Sequence, residues 1–133
     1  MAEDVTEKQT VLVVDDEPMI TAILETILRK AGYPVVAAGG ASEALRICRK
    51  PESRIALAIV DCIMPEQNGV ELASCLKELH PDMRIVMMSG YTGAEIGSSD
   101  RPCEVNGFLA KPFKVEAAVR VVESALGRQY ASC

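Results

Sequence analysis

Four short apolar runs in this chain each stop at residues with chemistry of their own. "VLVV" (11–14) runs into Asp15 and Asp16, "IALAIV" (55–60) into Asp61, "RIVMM" (84–88) into Ser89, and "GFLA" (107–110) into Lys111. Three carboxylates held a few ångströms apart raise one another's pKa, so they cannot all stay ionised without a cation between them. All-oxygen ligation favours magnesium, which needs only a few protein carboxylates and keeps its waters. A carboxylate is also a nucleophile toward phosphorus, giving an aspartyl phosphate. In-line transfer needs charge neutralised on the transferring oxygens, for which a magnesium ion and the Lys111 ammonium are suited. The Ser89 hydroxyl could donate to a phosphoryl oxygen once it arrives.

This chemistry requires that the runs lie side by side, and the rest of the pattern supplies a way. "TVLVV" (10–14) predicts a strand, and the helix after it places Ile20, Ile23, Leu24, Ile27, Leu28 and Ala31 at helical spacing before Gly32. "PVVAA" (34–38) predicts a second strand, and "GGASEALRICRK" a helix capped by Ser42 with Ala44, Leu45 and Cys48 inward. A third strand over 55–60 leads to a helix around "GVELASCLKELH", with Val70, Leu72, Ala73, Leu76 and Leu79 as core positions. Strands over 84–89 and 107–110 follow, and the closing helix "KVEAAVRVVESALG" carries Val115, Val119, Val122 and Leu126 on one face. Segment 91–106, with two glycines and a proline, predicts only a short or frayed helix. Strands apolar on both sides and alternating with helices imply one α/β domain: a doubly wound parallel sheet with helices on both faces. Ligands of such sheets bind outside the carboxyl ends of the strands, where Asp15, Asp16, Asp61, Ser89 and Lys111 all fall.

Composition narrows the classes. At 133 residues and 49% hydrophobic, the chain has the size of one domain with a sizeable core, here 10–128 between short tails at 1–9 and 129–133. A formal net charge of −5 without a basic stripe argues against direct nucleic-acid binding. No apolar run approaches a membrane span and the N-terminus is acidic and polar, so a soluble cytoplasmic protein without membrane insertion is expected. Five cysteines, an odd number without a CxxC pair, predict reduced thiols rather than disulfides or a zinc knuckle.

Four motifs, "VVDDEP", "VDCIMPEQNG", "MMSGY" and "FLAKPF", stand in an order and at separations that resemble the receiver domain of two-component response regulators, over about residues 10–128. The resemblance implies a flavodoxin-like five-stranded sheet of order 2-1-3-4-5. It implies that Asp61 is the phosphoacceptor, Asp16 a direct Mg2+ ligand, Asp15 a ligand through water, and the main-chain carbonyl of Ile63 a further ligand. It implies phosphoryl binding by Ser89 and Lys111, a switch role for Phe108, and a cis Lys111–Pro112 bond. A phosphohistidine on a histidine kinase or phosphotransfer protein would be the donor. The output would pass to a downstream protein or a second copy through the face built from segment 91–106, the fifth strand and the closing helix.

Taken singly, these residues have plainer readings. An isolated Asp15 or Asp16 would cap a helix, Asp61 or Ser89 would mark a turn, Lys111 would be a solvated charge, and Phe108 would be core. His80 reads as a capping or surface residue, and Met64, Met87 and Met88 as core. Two other classes compete. A haloacid-dehalogenase-type hydrolase also uses a carboxylate nucleophile and magnesium, but needs a second acid two residues on, where Ile63 stands. A nucleotide-binding domain lacks its glycine-rich phosphate cradle here.

Overall fold

The computed structural model describes residues 9–50, 54–64, 68–90 and 105–127. Its elements are β1 (Thr10–Val14), α1 (Pro18–Lys30), β2 (Val35–Ala38), α2 (Ala41–Cys48), β3 (Ile55–Asp61), α3 (Gly69–Leu79), β4 (Arg84–Ser89), β5 (Gly107–Ala110) and α4 (Val115–Ala125). The five strands form one sheet in the order β2-β1-β3-β4-β5, and every pairing is parallel. This is the doubly wound sheet that the alternation of elements predicts, in the flavodoxin-like order that the resemblance implies. The expected helix of segment 91–106 falls largely outside the described residues.

Alternate side chains of each strand enter opposite cores, because strand side chains have a period of two. Leu12, Val14, Ala58, Val60, Ile85 and Met87 pack with Ala44 and Cys48 of α2 and Leu72 and Leu76 of α3. Val11, Val13, Leu57, Ile59, Val86 and Met88 pack on the other face with Leu24 and Leu28 of α1 and Ala118 and Val122 of α4. Both faces are therefore dry, which explains why the strand sequences are almost continuously apolar. Met64, Met87 and Met88 are buried as the sequence suggests.

Helix ends show why the segments stop where they do. Pro18 opens α1, where its missing N–H costs no hydrogen bond. Gly32, at φ +100°, turns the chain out of α1 in a conformation that side-chain-bearing residues rarely adopt. Asn68 Oδ1 accepts from Glu71 N at 2.8 Å and caps α3. His80 is the C-cap of that helix, with Nε2 2.6 Å from the Cys48 carbonyl oxygen. Asn106 anchors the start of β5 by exchanging hydrogen bonds with both main-chain groups of Ile85.

Several core assignments differ from the expectation. Ser42 lies inside α2, whose N-cap is Gly40 without a side-chain cap. Ile23, Leu79 and Val115 are exposed. Ile23 stands about 90° around α1 from the centre of its buried stripe, while Leu79 and Val115 are the terminal residues of α3 and α4. In α4 the sheet is met by Ala118, Val122 and Ala125 instead. None of Cys48, Cys62 and Cys75 is in a disulfide; Cys103 and Cys133 lie outside the described residues.

Leu28, buried, and Ile23, exposed, separate burial from mere hydrophobicity within α1. Leu28→Ala is expected to lower unfolding free energy by about 2–5 kcal/mol, and Ile23→Ala by well under about 1 kcal/mol, in urea titrations. Similar losses at both positions would contradict the packing of α1.

Candidate functional site

The sheet reverses its winding direction between β1 and β3, the neighbours from which the chain departs to opposite sides. A crevice therefore opens above their carboxyl ends. It is an open cleft of about 390 Å³ lined by Asp16, Glu17, Asp61, Cys62, Ile63, Ser89, Gly90 and Lys111. Beneath this lining Asp15, paired with Lys111, is almost fully buried, while Asp16 beside it is exposed. Asp61 ends β3 and Ser89 ends β4, both buried.

Backbone pairing sets the height of each group. The Asp15 N–H donates to the Ala38 carbonyl at 3.2 Å, and the Lys111 N–H donates to the Ser89 carbonyl at 2.7 Å. In the register, Val14 lies opposite Val60, and Asp61 opposite Met88. Ser89 lies opposite Ala110. The residues after these strands thus reach one level without any freedom to slip. The Lys111–Pro112 peptide is cis.

Lys111 joins the cluster electrically. Its Nζ lies 2.9 Å from Asp15 Oδ2, 3.5 Å from Asp61 Oδ2 and 3.7 Å from Glu17 Oε1. Burial alone would lower its pKa, but Asp15, then Asp61 and Glu17, outweigh that and hold it above the usual lysine value. The pKa of Asp61 is raised as well, which for a carboxylate disfavours the charged form. Burial raises its pKa and the Asp15 charge adds to this, while Lys111 and the Ile63 N–H, 3.4 Å from Oδ1, oppose it.

Carboxylate oxygens of Asp15, Asp16 and Asp61 all approach within 4.8 Å of one another. Asp15 Oδ1 accepts the Glu17 N–H at 2.9 Å. Oδ2 is sealed from solvent and pairs with the Lys111 ammonium. An all-oxygen set of three converging carboxylates fits a hard divalent cation of the magnesium type.

The structure therefore brings Asp15, Asp16, Asp61, Ile63, Ser89 and Lys111 to one place. Phe108 is apart from it, on β5 and 51% exposed rather than in the core. Two participants carried no signal that sequence reasoning used. Glu17 follows the acid pair directly, and its reach to Lys111 depends on a turn that spacing does not show. Gly69 begins α3 against the Asp61 backbone: a Cβ there would overlap the Asp61 carbonyl oxygen, and its N–H donates to the Cys62 carbonyl at 2.8 Å. The only hint was its place in "EQNG".

Comparison with known proteins agrees with this geometry. The family model for the response regulator receiver domain matches residues 11–123. The chain is 33% identical to the response regulator receiver protein CpdR of Brucella abortus, over 87% of this chain and 95% of CpdR. It is 31% identical to the sensor kinase CckA of the same organism, over 96% of this chain but 14% of that protein. The chain also spans only 24% of the transcriptional regulator NtrC of Azospirillum brasilense and 48% of ycf27 of Porphyra purpurea. Among solved structures, chemotaxis protein CheY4 of Vibrio cholerae superposes with a TM-score of 0.80 at 28% identity, covering 89% of this chain and 98% of CheY4. The receiver domain of NtrX from Brucella abortus does so with a TM-score of 0.77 at 31% identity, covering 90% and 99%. The sheet order, the superpositions and the family match together define a signalling module of the receiver class. The chain belongs to the response regulator receiver domain family. Among the described residues, no helix is long and apolar enough to cross a membrane.

Two consequences can be measured. In the unfolded chain Asp61 titrates as an ordinary carboxylate, whereas in the fold its pKa is raised. Its charge therefore costs stability above the folded pKa, and the cost fades as pH falls through that value toward the unfolded one. With chelator present, Asp61→Asn should melt roughly 2–5 °C above the parent at neutral pH, with the gap closing toward about pH 4. An unchanged gap across that range would contradict the assignment. Gly69→Ala should lower stability by about 1–3 kcal/mol and shift the amide resonances of Asp61 and Cys62; an unaffected spectrum would show that the close approach is not maintained.

Proposed function

We propose that this receiver domain accepts a phosphoryl group on Asp61 from a phosphohistidine and passes the signal on by a change of conformation. The observation that carries this is the Lys111 ammonium held between Asp15 and Asp61 at the mouth of an open, carboxylate-lined cleft. A carboxylate oxygen of Asp61 attacks phosphorus, the P–N bond to the donor histidine breaks, and that nitrogen keeps the electron pair and is protonated. Lys111 is within reach of the oxygens that become more negative, and Ser89 lies on the neighbouring strand end to donate a hydrogen bond to one of them. Bound to Asp15, Asp16, Asp61 and the Ile63 carbonyl, Mg2+ would supply the remaining charge neutralisation. The donor is a histidine kinase or a histidine phosphotransfer protein.

Drawing Lys111 and Ser89 toward a new phosphoryl group perturbs the ends of β4 and β5 together. Phe108 and Val115, 51% and 56% exposed, lie on β5 and at the start of α4, and they belong to the face that a downstream protein or a second copy would read. Moving such an equilibrium from 1:99 to 99:1 takes about 5.5 kcal/mol of differential interaction. A hydrogen bond from Ser89 and burial of Phe108 are of the size to contribute a part of it.

Incubation with Mg2+ and phosphoramidate should add one phosphoryl mass to the intact chain. The gain should disappear in Asp61→Asn and when Mg2+ is chelated, and should fall by about a hundredfold in rate in Lys111→Ala. Continued labelling of the Asn variant would move the acceptor elsewhere.

A further inference from the structure

Glu17 holds a place in the cleft that neither the fold nor the proposed transfer requires. It stands at the N-cap of α1, yet its side chain makes no capping hydrogen bond. Its Oε1 instead lies 3.7 Å from Lys111 Nζ, with 64% of the side chain exposed. The Asp15 carboxylate holds its N–H at 2.9 Å, which roots the side chain beside that buried acid. Lys111 thus has three carboxylate neighbours, of which Asp15 and Asp61 already have work in the transfer and Glu17 has none.

We propose that Glu17 is a specificity-determining residue: its carboxylate competes with an incoming phosphoryl group for the Lys111 ammonium and disfavours free, small phosphodonors of high negative charge. The inference rests on Asp61 being the phosphoacceptor. Two effects act in the same direction. The Glu17 charge repels an approaching dianion at the cleft mouth, where a low-dielectric wall on one side strengthens the field. It also holds Lys111 back, so that an arriving phosphoryl oxygen must displace a carboxylate before it gains the ammonium. A donor protein docked on the surface can offset this with contacts remote from phosphorus. A free small molecule has none to use. The same carboxylate favours a divalent cation in the cleft, so its removal should weaken Mg2+ binding while easing the approach of anions.

The parent, Glu17→Gln and Glu17→Asp are compared at saturating Mg2+ with acetyl phosphate, a dianion at neutral pH, and phosphoramidate, a net monoanion. Labelling is followed by intact mass, and Mg2+ alone is titrated by amide NMR, which also reports that each variant is folded. Glu17→Gln should be labelled about threefold to tenfold faster by acetyl phosphate, gain less with phosphoramidate, and bind Mg2+ about twofold more weakly. Glu17→Asp should stay near the parent, and added salt should shrink the acetyl phosphate gain. Equal rates for the parent and Glu17→Gln with acetyl phosphate, or equal gains with both donors, would overturn the role of Glu17. Labelling of Glu17→Gln that persists when Asp61→Asn is added to it would overturn the assignment of Asp61 instead.

Discussion

One ammonium among three carboxylates is the interaction on which the rest of this molecule turns. Asp15 and Asp61 are both buried, and two buried like charges destabilise a fold unless a counter-charge is placed between them. Lys111 provides it from a strand that is not adjacent to either: β4 separates β5 from β3, and β3 in turn separates β4 from β1. The position of the lysine therefore depends on the whole width of the sheet. A small sideways error in any pairing would leave an acid without its partner.

That dependence explains the rigidity invested below the cleft. Every strand between β1 and β5 is packed on both faces, and parallel pairing with alternating side chains forbids a one-residue slip, which would turn each core residue toward the wrong layer. Above the last hydrogen-bonded residues the constraints end. There Asp61 and Ser89 end their strands and Asp15, Asp16 and Lys111 stand just past theirs, held by local devices such as the Asp15–Glu17 turn and the close contact of Gly69 with β3. A stiff base with a short-looped rim is what a site needs if it must keep distances fixed yet respond to a new charge.

Charge balance also indicates which event the cleft is prepared for. Burial, and then the Asp15 charge, raise the pKa of Asp61, one of the acids that line the opening. A carboxylate with less than its full complement of positive neighbours is poised toward anything that brings or needs positive charge, whether a divalent cation or a phosphoryl group accompanied by one. Exposed Phe108 in β5 and Val115 at the start of α4 lie on either side of Lys111 along the chain.

Much of this was legible in the residue order. The period of the apolar runs marked strands and helices, the runs' abrupt ends marked the acids, the serine and the lysine, and four motifs in register pointed to the family. Errors fell where periodicity is silent about orientation: Ser42 sits inside α2, and Ile23, Leu79 and Val115 face outward, because a helix's buried stripe is centred by the sheet it meets and not by its own most hydrophobic residue. Which residue types stand at the strand ends was determined by sequence alone, since hydrophobicity and turn chemistry are local properties. Only the tertiary structure decided that Lys111 shares its ammonium with Glu17 and that Gly69 must lack a side chain. Both are distances between residues far apart along the chain, or around a turn, and through-space electrostatics and sterics leave no periodic mark in the order of amino acids.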